Sequence, residues 1–254
     1  MLTPLLVAYF VSKLPTVYHV EVSFNGYLPV LGGKEGNADV LMDVLVTGLE
    51  EDAPGICRSS SEVQKVTMKL NGANLPLGLS AISAFFPKTI TRFSKEGKVL
   101  GSDLRSVELP VKLPGLDPKR FADITYLPVE FPVGGIQEGK TFGFSKSFGG
   151  DDLNYKVTPI AISKEQINLA IEVSQETITY EDANANSVTD RSTAAYTVST
   201  TVHGKGIATF LIGRGAMKSV SMKVDAEGAV TPVTAGVTRK RHLTTELKIS
   251  ANGS

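Results

Sequence analysis

The chain has 254 residues, 26 basic and 26 acidic, so its net charge is zero and its electrostatics give no reason to expect nucleic acid as a partner. Charged residues make up 20% of it and glycine is enriched, a balance that fits sheets and tight turns better than charged helices or disorder. A lone cysteine excludes an intramolecular disulfide, and the length allows one large β domain or two smaller ones.

In chain order, residues 1–11 are apolar but too short to span a bilayer as a helix. They have the greasy middle of an export signal without its basic start or a small-x-small cleavage site. They read as a signal remnant, a truncated start or a first strand, with export preferred. Period-two alternation then begins. In 17–27, Tyr18, Val20, Val22 and Phe24 share a face against His19, Glu21, Ser23 and Asn25. In 38–47, Ala38, Val40, Met42, Val44 and Val46 oppose Asp39, Leu41, Asp43, Leu45 and Thr47. Glu50, Glu51 and Asp52 follow, and adjacent acids on a loop read as solvated rather than as paired catalytic carboxylates. Asp151 and Asp152 read the same way.

Cys57 sits in a polar stretch, Ile56 to Ser61, without a histidine nearby in sequence, and reads as an ordinary loop or strand-end thiol. Alternation returns in 65–70, with Val66, Met68 and Leu70 on one side. Two segments read as short helices: Leu75 to Phe86, ended by Pro87, and one starting at Asp117 and Pro118 and running through Ala122. Between 110 and 132 lie five of the thirteen prolines, which interrupts strand pairing and suggests a linker or crossing segment. The expected layout is a first β half over 1–109, a Pro-rich connection over 110–132 and a second β half over 133–254, or one continuous domain.

In the second half, Ile167, Leu169, Ile171 and Val173 oppose Asn168, Ala170, Glu172 and Ser174, and 219–225 and 243–249 repeat the pattern. Two glycines after glutamate suggest matching hairpin tips, within Phe93 to Val99 and within Val224 to Val230. Asp182, Asn184, Asn186 and Asp190 have calcium-loop spacing, but Ser187 and Thr193 stand where the turn glycine and the closing glutamate belong. An Asn- and Asp-rich hairpin loop is the better reading. Gly213 to Lys218 approaches a phosphate-binding loop, but Met217 replaces the glycine before the lysine and a strand follows instead of a helix. His19, His203 and His242 fall on polar strand faces without metal-binding spacing. The run Arg239 to His242 splits between two faces of a strand rather than forming a phosphate-binding patch.

The Pro- and Gly-marked approach from Leu127 to Phe142, followed by successive long strands through Gly228, resembles the lipoprotein-carrier-like (LolA-like) half-barrel proteins of the bacterial envelope. The resemblance covers about 120 residues and is carried by Pro, Gly and strand positions, with no catalytic or binding residue among them. It implies a curved antiparallel sheet, short helices against the concave face, and an apolar cavity for acyl chains. The chain departs from that group in having no lipidation cysteine and no full signal sequence. The expectation is an all-β protein with one or two short helices, built as a large curved antiparallel sheet or half-barrel. Its expected function is non-enzymatic: an exported protein, periplasmic or secreted, that holds a lipid or other apolar ligand against Val40, Met42, Val44, Ile167, Leu169 and Ile171. A structural or adhesion-like protein without a small ligand is the alternative. No motif asks for a cofactor or a metal, and no transmembrane span or nucleic-acid partner is expected.

Overall fold

A computed structural model describes residues 3–28, 34–75, 86–104, 120–148, 151–183 and 187–252. The first half supplies β1 (Thr16–Leu28), β2 (Lys34–Ala53), β3 (Ile56–Leu70), β4 (Ala73–Leu75), β5 (Thr89–Ser94) and β6 (Val99–Ser102). The second supplies β7 (Phe142–Phe148), β8 (Asp151–Ile162), β9 (Gln166–Glu181), β10 (Ser187–Val188), β11 (Tyr196–Leu211), β12 (Ala216–Pro232) and β13 (Arg239–Ala251). Between them lies α1 (Phe121–Ile124), the one α-helix among the described residues.

All thirteen strands join one antiparallel sheet, with eleven in the order β6-β5-β3-β2-β1-β13-β12-β11-β9-β8-β7. The sheet is curved and does not close into a barrel. The first half is a meander that runs outward from the middle and the second is one that runs back inward from the other edge, so the early and late strands β1 and β13 meet at the centre, Tyr18 opposite Ala251 and Gly26 opposite Leu243. Bulges at Asp43/Val44, Pro159/Ala161 and Thr209/Phe210 add an unpaired residue and increase local coiling. The alternation read from sequence sorts the faces: Tyr18, Val20, Val22 and Phe24 are buried, as are Val66, Met68, Ile167, Leu169, Ile171 and Val173.

The buried face of the sheet packs against residues 120–136, which lie in sequence between the two edge strands β6 and β7. Phe121, Ala122, Tyr126, Leu127, Val129, Phe131 and Ile136 from this segment are buried in the same core as the strands. Beyond α1 it forms no ladder, so its backbone polar groups must find partners one at a time. The Lys146 ammonium donates to the Leu127 carbonyl (2.6 Å), the Tyr9 hydroxyl donates to the Val129 carbonyl (2.9 Å), and the Phe131 N–H donates to the Glu96 carbonyl (2.8 Å). Leu5 and Ile136 exchange both of their backbone bonds at 2.8 Å. The apolar N-terminal segment is therefore packed: Val7 and Tyr9 are buried beside the crossing segment.

Three expectations need comment. The second Glu-Gly hairpin does not exist: Val224 to Val230 lies inside β12, where Gly228 pairs with Thr200 and Arg241 in mid-sheet. Glu-Gly marks a turn only when the chain reverses, as it does at Gly97 (φ 97°) between β5 and β6. Of the helix expected from Asp117 through Ala122, the described part is α1, with Arg120 as its N-cap, while Asp117 and Pro118 lie outside the described residues. The helix expected over Leu75 to Phe86 also falls mostly outside them, with Leu75 ending β4.

Candidate functional site

The six residues expected to face a ligand, Val40, Met42, Val44, Ile167, Leu169 and Ile171, are all on the buried face and none exposes more than 2% of its surface. They belong to the packed core shared with the crossing segment. A cavity of about 430 Å³ lies elsewhere, at the end of the sheet where β1 and β12 begin and β2, β11 and β13 end. None of the six lines it.

Its wall is built from three directions. The N-terminal segment supplies Tyr9, Phe10, Val11 and Leu14; the sheet supplies Tyr18, Val46 and Met217; the crossing segment supplies Tyr126. The β11–β12 connection closes the remaining side with a 3-10 turn, Ile212–Arg214, followed by Gly215. Gly215 has a left-handed φ of 56°, and a Cβ there would lie 2.5 Å from the Phe10 nitrogen. Only glycine meets both demands. The Phe10 N–H donates to the Gly215 carbonyl (2.7 Å), which fixes the N-terminal segment against the turn. Phe10 and Leu14 line the cavity yet are 65% and 77% exposed, so they stand at its mouth.

Inside, aromatic rings meet edge-on or tilted. Tyr9 lies 5.1 Å from Phe210 and 5.6 Å from Phe131, and Tyr18 lies 6.1 Å from Tyr126. The Tyr126 hydroxyl is 3.0 Å from Ser59 Oγ, in a buried polar cluster with Ser61 and Thr91. Burial pushes the pKa values of Tyr9, Tyr18 and Tyr126 up, so all three remain neutral phenols. The cavity wall thus combines four aromatic rings with aliphatic side chains, and Ser12, Thr16, Asn252 and Arg214 add polar groups to it.

A second polar group, missed from sequence, lies under the crossing segment. Lys146 and Asp123 are fully buried and paired at 2.8 Å, with Arg120 Nε 2.9 Å from the other Asp123 oxygen. Burial lowers the Lys146 pKa against the pull of the Asp123 charge. Glu130 is raised by burial, with Lys146 opposing. The signal was present in the alternation of β7, where Lys146 shares a register with Phe142 and Phe144.

The remaining candidates have ordinary surroundings. The Cys57 thiol, near the start of β3, is raised by burial and by Glu51, which keeps it protonated. Glu50, Glu51 and Asp52 make surface ion pairs with Lys13, Lys95, Arg58 and Arg92. Of the calcium-like loop, Asn184 and Asn186 lie outside the described residues, while Asp190 accepts the Ser192 N–H at 2.8 Å and caps a 3-10 turn. Gly213 to Lys218 continues directly into β12, with no helix N-terminus for an anion. His203 and His242 are exposed and His19 partly so, the latter bound to Asp43 at 2.6 Å. Within the basic run, Arg241 turns inward over the Tyr27 ring and makes a bidentate bond to Glu181, 3.0–3.3 Å, spanning β12 and β11.

This curved, aromatic-lined sheet has a counterpart among solved structures. The chain is similar in fold to lipovitellin. The likeness, to a structure determined for the lipid–protein interactions of lipovitellin, has a TM-score of 0.56 at 9% identity and covers 95% of this chain. The chain spans about a quarter of the length of lipovitellin, 25% of it. No family model matches the sequence, and no curated protein matches it. The lipoprotein-carrier likeness therefore has no family behind it, and what the lipovitellin likeness carries is the fold. Among the described residues no helix is long and apolar enough to cross a membrane.

Proposed function

We propose that this chain is a non-enzymatic protein that holds an apolar, lipid-like ligand in the cavity at the end of its curved sheet. The observation that carries the reading is the cavity itself. At about 430 Å³ it falls in the range of roughly 300–1,000 Å³ typical of small-molecule sites. Most of the side chains in its walls are aromatic or aliphatic, with Ser12, Thr16, Asn252 and Arg214 among them, and its mouth is framed by two exposed apolar side chains, Phe10 and Leu14. The fold likeness to lipovitellin, a protein solved for its lipid interactions, supports the same reading. Each methylene moved from water into such a wall contributes about 0.8 kcal/mol. We place the protein outside the cytosol, periplasmic or secreted, on the sequence likeness alone, and fractionation of the host cell tests that part.

An environment-sensitive fluorescent fatty acid should bind the folded chain in the micromolar range or tighter. Ala216→Phe, which fills the cavity from the start of β12, should weaken binding by about tenfold or more while the melting temperature stays near that of the parent. Absence of binding to the parent chain, with no lipid co-purifying in native mass spectrometry, overturns the reading. A structural role without a ligand would then replace it, and the tight packing of Val40, Met42, Val44, Ile167, Leu169 and Ile171 is the observation that favours that alternative.

A further inference from the structure

We propose that the ligand is an anionic single-chain amphiphile, its carboxylate or phosphate held at Arg214 and its hydrocarbon chain directed inward among Tyr9, Tyr18, Val46 and Tyr126. The proposal rests on the lipid-binding reading of the cavity and adds the chemistry of the headgroup. Among the described residues lining the cavity, Arg214 is the one charged side chain, and no carboxylate lines it. A cation beside an apolar wall, with no acid in that wall, favours an anion there over a cation or a neutral group.

The distribution of polar groups sets the orientation. Deep in the wall, the Tyr9 hydroxyl is committed to the Val129 carbonyl and the Tyr126 hydroxyl to Ser59, so these side chains present ring surface to the cavity. Arg214 is exposed, at the end of the 3-10 turn that closes the mouth. Its turn is fixed by the left-handed Gly215 and by the Phe10 N–H bond to the Gly215 carbonyl. A guanidinium carries five donors in a planar fork, enough to serve a bidentate anion beside a protein partner. Carboxylates and phosphates match that fork, whereas an alcohol or an ester does not. Phe10 and Leu14, exposed at the same mouth, would cover the first carbons of the chain.

The test is calorimetric titration of the full chain with hexadecanoate, hexadecyl phosphate and hexadecanol below their micellar concentrations, and with inorganic phosphate alone. Both anions should bind at least about tenfold tighter than the alcohol, as expected of a charge-assisted hydrogen bond. Arg214→Gln should erase that preference while leaving hexadecanol affinity within about twofold, and Arg214→Lys should retain part of it. Inorganic phosphate should neither bind measurably nor displace hexadecanoate, which separates a headgroup contact from a free-anion site. Equal affinity for all three amphiphiles, or an Arg214→Gln loss shared by the alcohol, overturns the headgroup assignment and leaves the cavity reading standing. Failure of every amphiphile to bind overturns both.

Discussion

A lysine on an aromatic strand face is costly unless its charge is met. Lys146 is met twice, by the Asp123 carboxylate and the Leu127 carbonyl, and this is what fastens the crossing segment to the edge strand β7. Lys146→Met should therefore cost about 3 kcal/mol in urea unfolding, because it leaves the buried Asp123 carboxylate with the half-buried Arg120 as its one remaining cation. The pair Lys146→Met with Asp123→Leu should recover much of the loss, and a double mutant as unstable as the single would show that the charge is not the cause. His19 is the other residue with a readable titration. Its hydrogen bond to Asp43 raises its pKa, so the folded state holds the proton more tightly than the unfolded chain. The contribution is complete below about 6.5, the unfolded value, and is lost as pH rises through the higher folded value. An NMR titration should place His19 above 6.5, the ordinary value for the free side chain, and Asp43→Asn should bring it back down. The histidines, predicted on polar faces, were legible because a strand's period fixes the side. Lys146 and Arg241 were harder to read, because each is explained by a partner distant in sequence, Asp123 and Glu181, and periodicity does not name partners.

The strands were the most legible elements, since alternation in β1, β2 and β9 reflects one face packed and one wet. The elements without periodicity were not. The crossing segment announced itself only by its prolines, and the N-terminal segment only by being apolar, yet together they cover the sheet and help wall the cavity. This is why the apolar face was legible while the cavity was not. Val40 and Leu169 looked available to a ligand because nothing in the sequence says what covers them. They are fully buried, so Leu169→Ala should destabilise the fold by about 2–5 kcal/mol while leaving fatty-acid affinity of the folded fraction unchanged. Gly215→Ala should act on the N-terminal segment instead. A methyl group at φ 56° and so close to Phe10 forces the segment off the turn. The Phe10 amide, bonded to the Gly215 carbonyl, should then exchange with solvent far faster than in the parent. An unchanged exchange rate would mean that the segment docks by its side chains alone.

At the scale of the whole molecule, the two halves share one sheet and one core, with the crossing segment reaching Ser59 of β3 through Tyr126 and β7 through Asp123. Neither half can keep that core without the other. Calorimetry should accordingly show a single unfolding transition, with the van't Hoff and calorimetric enthalpies equal, and two resolved transitions would contradict the shared core. The seam between β1 and β13 also sets a timetable. On the ribosome β1 emerges early, paired on one side with β2, while its other edge faces β13, which is made last of all the strands. Synthesis proceeds at roughly 5–20 residues per second, so that edge waits on the order of ten to forty seconds for its partner. Throughout that interval a long, half-apolar strand edge is exposed to other nascent chains and is a template for mispairing. A sheet zipped at its centre should therefore yield less aggregated protein when a holding chaperone is co-expressed, or when expression is slow and dilute, than under rapid expression alone.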